Sequence, residues 1–317
     1  LKRFLKNEKW TSKKLEKHII PHFILKHRIM KRIIKILGLS LLPLSVFSQH
    51  FEAGLLLGAS NYLGDLSNNS GTVYIKETKP AFGALVRYNF NDMFTARLGL
   101  TYTWVAGRDA NVKNDDFVKN RNLSFRSNIL EFALTGEINI PGYQPYALSR
   151  PLSPYLFVGI AATKFNPKTR YQGNWEKLQP LGTEGQGMPG FDKEYGLTSF
   201  TIPFGVGVKY ALTDKINLGL ELGARRMSTD YLDDVSGNYV SYPDLLAGNG
   251  ELAAALGNRT GELTGGEPVV VPTGTQRGDR SESDWYFILG ITVSYNFLDN
   301  GLMGGRQRSR RKAGCNN

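Results

Sequence analysis

The stretch "STDYLDDVSGNY", residues 228–239, holds the densest set of potential ligands in the chain. Asp230, Asp233 and Asp234 offer hard oxygen donors of the kind that Ca²⁺ accepts in flexible geometry. Their spacing departs from the D-x-[DN]-x-[DN]-G loop with its distant Glu, so a dedicated calcium loop is not expected. The competing expectation is a loop start whose acids accept hydrogen bonds from backbone groups or from Arg225 and Arg226. The three aspartates are therefore weak metal candidates, and no metal or cofactor is assigned.

Catalytic chemistry finds less support. A Ser-His or Asp-His mechanism needs a histidine placed to move a proton. The histidines are His18, His22, His27 and His50, all in the first 50 residues. The glycine-rich stretches "LTGGEP" and "LMGGRQR" have neither the Lys nor the strand-to-helix setting of a phosphate loop, and read as turns. With one cysteine, Cys315, an internal disulfide framework is excluded by count, and so is a Cys/His zinc site in the chain beyond residue 48, where His50 is the sole histidine. No enzymatic activity is expected.

Residues 30–48 explain part of this composition. Met30 is followed by basic Lys31, Arg32 and Lys35, then a short apolar run over 36–46, then Val46-Phe47-Ser48 before Gln49. That is the pattern of a secretion signal cleaved between Ser48 and Gln49, with an apolar run too short to span a bilayer. Translation is expected to start at Met30, with residues 1–29 as upstream reading frame. The chain of 317 residues has a formal net charge of +11, but the first 48 residues carry 12 of the 39 Lys and Arg and 2 of the 28 Asp and Glu. The remainder is nearly balanced, 27 basic against 26 acidic, so it has no global field for nucleic acid.

The elements that must position any site follow period two. In "WYFILGITVSYNF" every odd position from Trp285 to Phe297 is apolar and the even positions are mostly small or polar, with aromatics at both ends. Lipid-facing barrel strands read this way. The alternation recurs over 82–90, 94–104, 128–140, 200–210 and 216–225; it is looser over 51–58 and ambiguous in phase over 155–165. Eight strands follow, with tight turns at "FNDMF" and "LTDKI", a short proline-bearing link at 141–153, and long polar segments at about 59–79, 107–123, 166–198 and 227–284. The expected fold is all-β: an eight-stranded antiparallel outer-membrane barrel over residues 49–297 with long extracellular loops.

Eight strands leave an interior only wide enough for side chains. By phase the inward set contains Glu52, Glu131, Glu137 and Glu221 against Arg87, Arg97, Lys209 and Arg225, which should pair in a packed polar lumen and not line a channel. A short helix is expected around Ala253–Leu256 in the longest loop. Residues 298–317 form a basic periplasmic tail, in which Arg306, Arg308, Arg310, Arg311 and Lys312 would meet an acidic partner or anionic headgroups.

The segments "FEAGLLLGASNYLGDL", "KPAFGALVRYNF", "RNLSFRSNILEFA", "SPYLFVGIAATKF" and "STDYLDDVSGNY", in this order, resemble the PorG-like family of small outer-membrane barrels of Bacteroidota. The likeness extends from about Phe51 to Phe297. It implies a component of the type IX protein secretion and gliding machinery, seated in outer-membrane lipid and associated with a periplasmic ring of a lipoprotein and its partner. It implies no enzymatic activity. The alternative is a stand-alone structural barrel, or one whose loops bind ions, glycans or other ligands, outside that machinery.

Overall fold

The computed structural model describes residues 51–67, 75–112, 115–140 and 151–297. Ten strands form: β1 (Phe51–Leu63), β2 (Lys79–Asn89), β3 (Phe94–Arg108), β4 (Ser124–Asn139), β5 (Leu152–Lys164), β6 (Pro167–Tyr171), β7 (Asn174–Lys177), β8 (Thr198–Ala211), β9 (Ile216–Met227) and β10 (Trp285–Asn296). Eight of them close on themselves as an antiparallel barrel in the order β3-β2-β1-β10-β9-β8-β5-β4, with β4 pairing back onto β3. Closure removes every exposed edge among these eight. The signal segment, His50, Cys315 and the basic tail with Arg306, Arg308, Arg310, Arg311 and Lys312 lie outside the described residues.

The period-two pattern decides which face of each strand meets which solvent. In β4, Leu130, Phe132, Leu134 and Ile138 point outward and stay exposed, while Glu131, Thr135, Glu137 and Asn139 are buried inside. The same holds around the barrel, from Leu55 and Leu57 on β1 to Leu289, Ile291 and Val293 on β10. A continuous apolar belt of this size belongs against lipid and not water. Aromatic contacts mark both rims: Phe82–Trp104 and Tyr102–Trp104 at the long-loop end, Phe51–Tyr88, Tyr88–Phe90 and Tyr295–Phe297 at the other. The fold is a small β-barrel of outer-membrane type.

β5 resolves the ambiguous phase in favour of aromatics inside. Tyr155 and Phe157 are buried in the lumen, and Leu156, Val158 and Ile160 face out. The looseness of β1 also has a cause. Leu56 points inward, an apolar residue out of the alternation expected for β1, and packs over the missing side chains of Gly83 and Gly290.

The interior is not polar throughout. Towards the long-loop end a hydrophobic cluster that includes Tyr62, Leu66, Val105, Phe125, Ile129, Phe165, Met227 and Tyr286 fills the mouth. Loop residues Leu232, Val235 and Leu256 close it from above. Two features of the loops go beyond the alternation. β6 and β7 form a hairpin that continues the sheet past β4, and the longest loop carries helices Tyr242–Asn249 and Glu251–Gly257. The second contains the expected apolar turn, with Ala253, Ala254 and Leu256 buried.

Candidate functional site

Inside the barrel, the eight charged residues of the inward set are all buried and fall into two groups. The larger centres on Glu137, which accepts from Arg87 Nε at 2.9 Å and Lys209 Nζ at 2.5 Å and lies 3.2 Å from Arg97. Arg87 also donates to Glu52 at 2.6 Å, and Arg97 pairs with Glu221. Tyr155 donates to Glu221 at 2.8 Å while its ring sits 4.7 Å from Lys209 Nζ; the Phe157 ring lies 4.6 Å from the Arg97 guanidinium. The smaller group joins Glu131 to Arg225 at 3.5 Å and to the Tyr286 hydroxyl at 2.5 Å. The cavity left between Arg97, Glu131, Glu221 and Arg225 is about 30 Å³, room for about one water. The lumen is plugged by its own side chains.

Beyond the mouth, the long loops fold into a cap held by buried acids. Asp109 accepts from Arg121 Nε at 2.9 Å, from Arg121 Nη2 at 2.7 Å and from the Leu123 amide at 2.8 Å. Arg121 reaches on to the carbonyls of Arg277 at 2.5 Å and Asp65 at 2.8 Å, so one guanidinium ties four segments. Glu184 accepts from Arg277 at 2.9 Å and from the amides of Ser236 and Gly237.

The three aspartates singled out by sequence sit here, and they diverge. Asp233 accepts from Tyr62 and from the Val235 amide. Asp234, in the left-handed region at φ 72°, accepts from Thr183 at 2.6 Å and Tyr195 at 2.6 Å. Asp230 is half-buried, and its Oδ2 has no hydrogen-bond partner. Among the described residues no group of three or more His, Cys, Asp or Glu side chains is arranged to hold a metal ion. The oxygens of Asp233 and Asp234 are spent on separate hydroxyl and amide donors. Arg225 and Arg226 are not those donors: Arg225 turns into the barrel toward Glu131 and Gly223, and Arg226 lies against the Trp285 ring.

Burial shapes the acids of the cap. It pushes the Asp234 carboxyl up to about 6, against the pull of the Arg277 charge. It pushes Asp65 up to about 6 as well, opposed by the Asp279 amide and by Arg121. Asp230 is pushed up to about 9 by burial and by the neighbouring Asp233 charge. Asp233 and Asp284 are both raised well above the ordinary carboxyl value by burial, then by the charge of Asp284 on the first and of Asp230 on the second.

Sequence reasoning missed the loop "GTEGQGMPGFD", residues 182–192, which forms the outer wall of the cap. Gly182, Gly185, Gly187 and Gly190 all have φ between 60° and 88°, so the loop needs glycine at each to turn as it does. Asn249 Nδ2 lies within 3.1 Å of the carbonyls of Leu181, Gly182 and Gln186 and fixes the loop to the helix Tyr242–Asn249. The signal was the glycine spacing, which is too regular for an unstructured linker.

The chain is similar in structure to Neisserial surface protein A, with a TM-score of 0.37 and 11% identity over 78% of this chain and 97% of that one. It is similar to OprG from Pseudomonas aeruginosa, with a TM-score of 0.36 and 11% identity over 78% and 97%. It is also similar to the outer membrane protease OmpT from Escherichia coli, with a TM-score of 0.32 and 8% identity over 78% and 97%. The barrel itself is established by the strand register above and not by these likenesses. No curated protein sequence matches the chain. The model of a domain of unknown function, DUF6089, matches residues 28–254, which takes in seven of the eight barrel strands and most of the cap. The chain belongs to the DUF6089 family.

Proposed function

We propose that this protein is a non-enzymatic outer-membrane anchor, a barrel subunit of the type IX secretion and gliding machinery that holds a periplasmic ring complex. The observation that carries the reading is the plugged lumen: with Arg87, Glu137, Lys209, Arg97 and Glu221 interlocked across it, the barrel offers no conduit and must act through its surfaces. The motifs of the PorG-like resemblance support the assignment to that machinery. Two of them meet in space, since Tyr62 of "FEAGLLLGASNYLGDL" bonds Asp233 of "STDYLDDVSGNY". In this reading the barrel fixes position in the membrane. The short turns and the basic residues Arg306, Arg308, Arg310, Arg311 and Lys312 hold a periplasmic lipoprotein, and the cap faces outward.

The test is a detergent pull-down from native outer membranes with the full chain and with a chain truncated after Leu298. Co-purification of a periplasmic lipoprotein with the first and its loss from the second is the expected result. If neither form brings down a periplasmic partner, the anchor reading fails and a stand-alone barrel replaces it.

A further inference from the structure

The outer face of the cap holds a pocket of about 200 Å³ that the anchoring role does not use. Gln186, Phe191, Asp192, Tyr231, Asn238 and Arg280 line it. Gln186 is almost fully buried, and its Oε1 accepts the Glu184 amide at 3.0 Å, which fixes the orientation of the side-chain amide. Its Nε2 is then a buried donor with no partner in the protein. An unmet buried donor costs free energy unless something polar meets it.

The second feature is an aromatic face set in advance. Tyr231 stacks on Tyr195 at 4.4 Å with planes 5° apart, and Tyr195 stacks in turn on Phe165 at 6.5 Å and 4°. The Tyr195 hydroxyl is locked on Asp234, so the stack is rigid and Tyr231 is its outermost ring. Charge is balanced around it: Arg280 pairs with Asp192 at 2.8 Å, and the Glu184 carboxylate behind them is committed to Arg277. The pocket thus combines an electron-rich ring face, a fixed amide donor, an adjustable amide in Asn238 and a neutral ion pair that can both donate and accept.

We propose that this pocket binds one sugar ring of an uncharged glycan at the outer face of the membrane. The apolar C–H face of a pyranose suits the negative face of Tyr231, and its ring hydroxyls suit the Gln186, Asn238 and Arg280–Asp192 groups. An anionic ligand would have to break the Arg280–Asp192 pair. A peptide strand would need a free sheet edge; closure leaves the barrel strands none, and the open edge of β7 does not line this pocket. The volume admits a single ring, so longer glycans would extend from it into solvent.

Saturation-transfer NMR on the full chain in detergent micelles, with D-galactose, D-mannose and N-acetyl-D-glucosamine as probes, tests this. Irradiating the aromatic protons should transfer saturation to the C–H protons of at least one of the three sugars. Gln186→Leu and Arg280→Ala should each weaken the apparent Kd by about tenfold, the cost of one lost donor to a hydroxyl. Tyr231→Ala should abolish transfer. Val270→Ala, at a highly exposed position of the same loop outside the pocket, should leave it intact. Arg280 is exposed but also hydrogen-bonds Tyr231, so the near-ultraviolet circular dichroism of the Arg280→Ala variant should match the parent, showing that the tyrosine stack is intact. No transfer to any of the three sugars, or an apparent Kd left unchanged by both Gln186→Leu and Arg280→Ala, overturns the proposal.

Discussion

The Tyr62 hydroxyl lies 2.6 Å from Asp233 Oδ2 and 2.9 Å from Asp284 Oδ1, one phenol between two buried carboxyls. A phenol has one hydrogen to give. Both short contacts can be hydrogen bonds only if one of the two carboxyls keeps its own proton and donates it back to the phenol oxygen. The upward shift of both acids by burial and by their acidic neighbours agrees with that sharing. The triad links the end of β1 to both ends of the longest loop, so it fastens the cap to the barrel.

Tyr62→Phe removes the shared hydroxyl and leaves two buried carboxyls facing a ring edge. The expected cost is about 1–3 kcal/mol, confined to the cap. Limited proteolysis should then cut within residues 228–284 faster than in the parent chain. The folded barrel should still migrate ahead of the unfolded form in an unheated gel. Equal cutting rates in the two proteins would show that the triad does not fasten the cap.

The cap should loosen as pH rises. Asp65 and Asp234 are held at about 6 and Asp230 at about 9, all above the ordinary aspartate value of 3.8. Such groups bind their protons more tightly folded than unfolded, so their contribution is complete below the ordinary value and is lost as pH climbs through the folded one. The loss runs from about 4 to about 6 for the first pair and continues toward about 9 for Asp230. The charges facing them are Arg121, Arg277, Glu184, Asp233, Asp279 and Asp284. Amide hydrogen exchange of residues 228–240, corrected for intrinsic rates, should be slower at about pH 5 than at about pH 8. The reverse order would contradict the shifts.

The barrel centre makes a sharper prediction. Glu137→Gln removes the charge that Arg87, Lys209 and Arg97 share and leaves cations uncompensated in a closed lumen. Breaking a buried pair in this way costs about 3–5 kcal/mol. The urea midpoint of the refolded barrel should fall accordingly. Single-channel conductance in a planar bilayer should stay near zero, because Tyr155 and Phe157 still block the lumen. An unchanged midpoint would mean that the network only fills space.

The barrel was legible in the sequence because side-chain alternation is the physical requirement for a strand with lipid on one side and a plugged lumen on the other. Its phase also gave the inward positions of Glu52, Glu131, Glu137 and Glu221. It left Tyr155 and Phe157 open, since β5 is apolar in both phases and the aromatics meet Lys209 of β8 and Arg97 of β3 only once the barrel has closed. The cap was not legible. Its contacts join Tyr62 to Asp233, Arg121 to Arg277 and Glu184 to Gly237, pairs far apart in the chain with no periodicity between them. The aspartates at 230, 233 and 234 therefore read as one cluster in sequence, whereas in space Asp230 and Asp233 stay neighbours and Asp234 turns to Thr183 and Tyr195.

The aromatics of β5 fit inside because the adjacent strand β8 carries Gly207 opposite Tyr155 and Gly205 opposite Phe157. A Cβ on Gly207 would strike the Tyr155 ring, and one on Gly205 would meet Phe157 at 2.8 Å. Gly207→Ala should therefore push Tyr155 away from Glu221, whose other partner in this network is Arg97. Forcing a side chain into a packed interior costs about 1–3 kcal/mol. Tyr155→Ala opens the space into which that methyl group would fit. If the clash is the cause, the double variant Gly207→Ala with Tyr155→Ala should lose less stability in urea than the two single losses added together. Strict additivity would place the cost of the alanine elsewhere in β8 and separate it from the packing of the lumen.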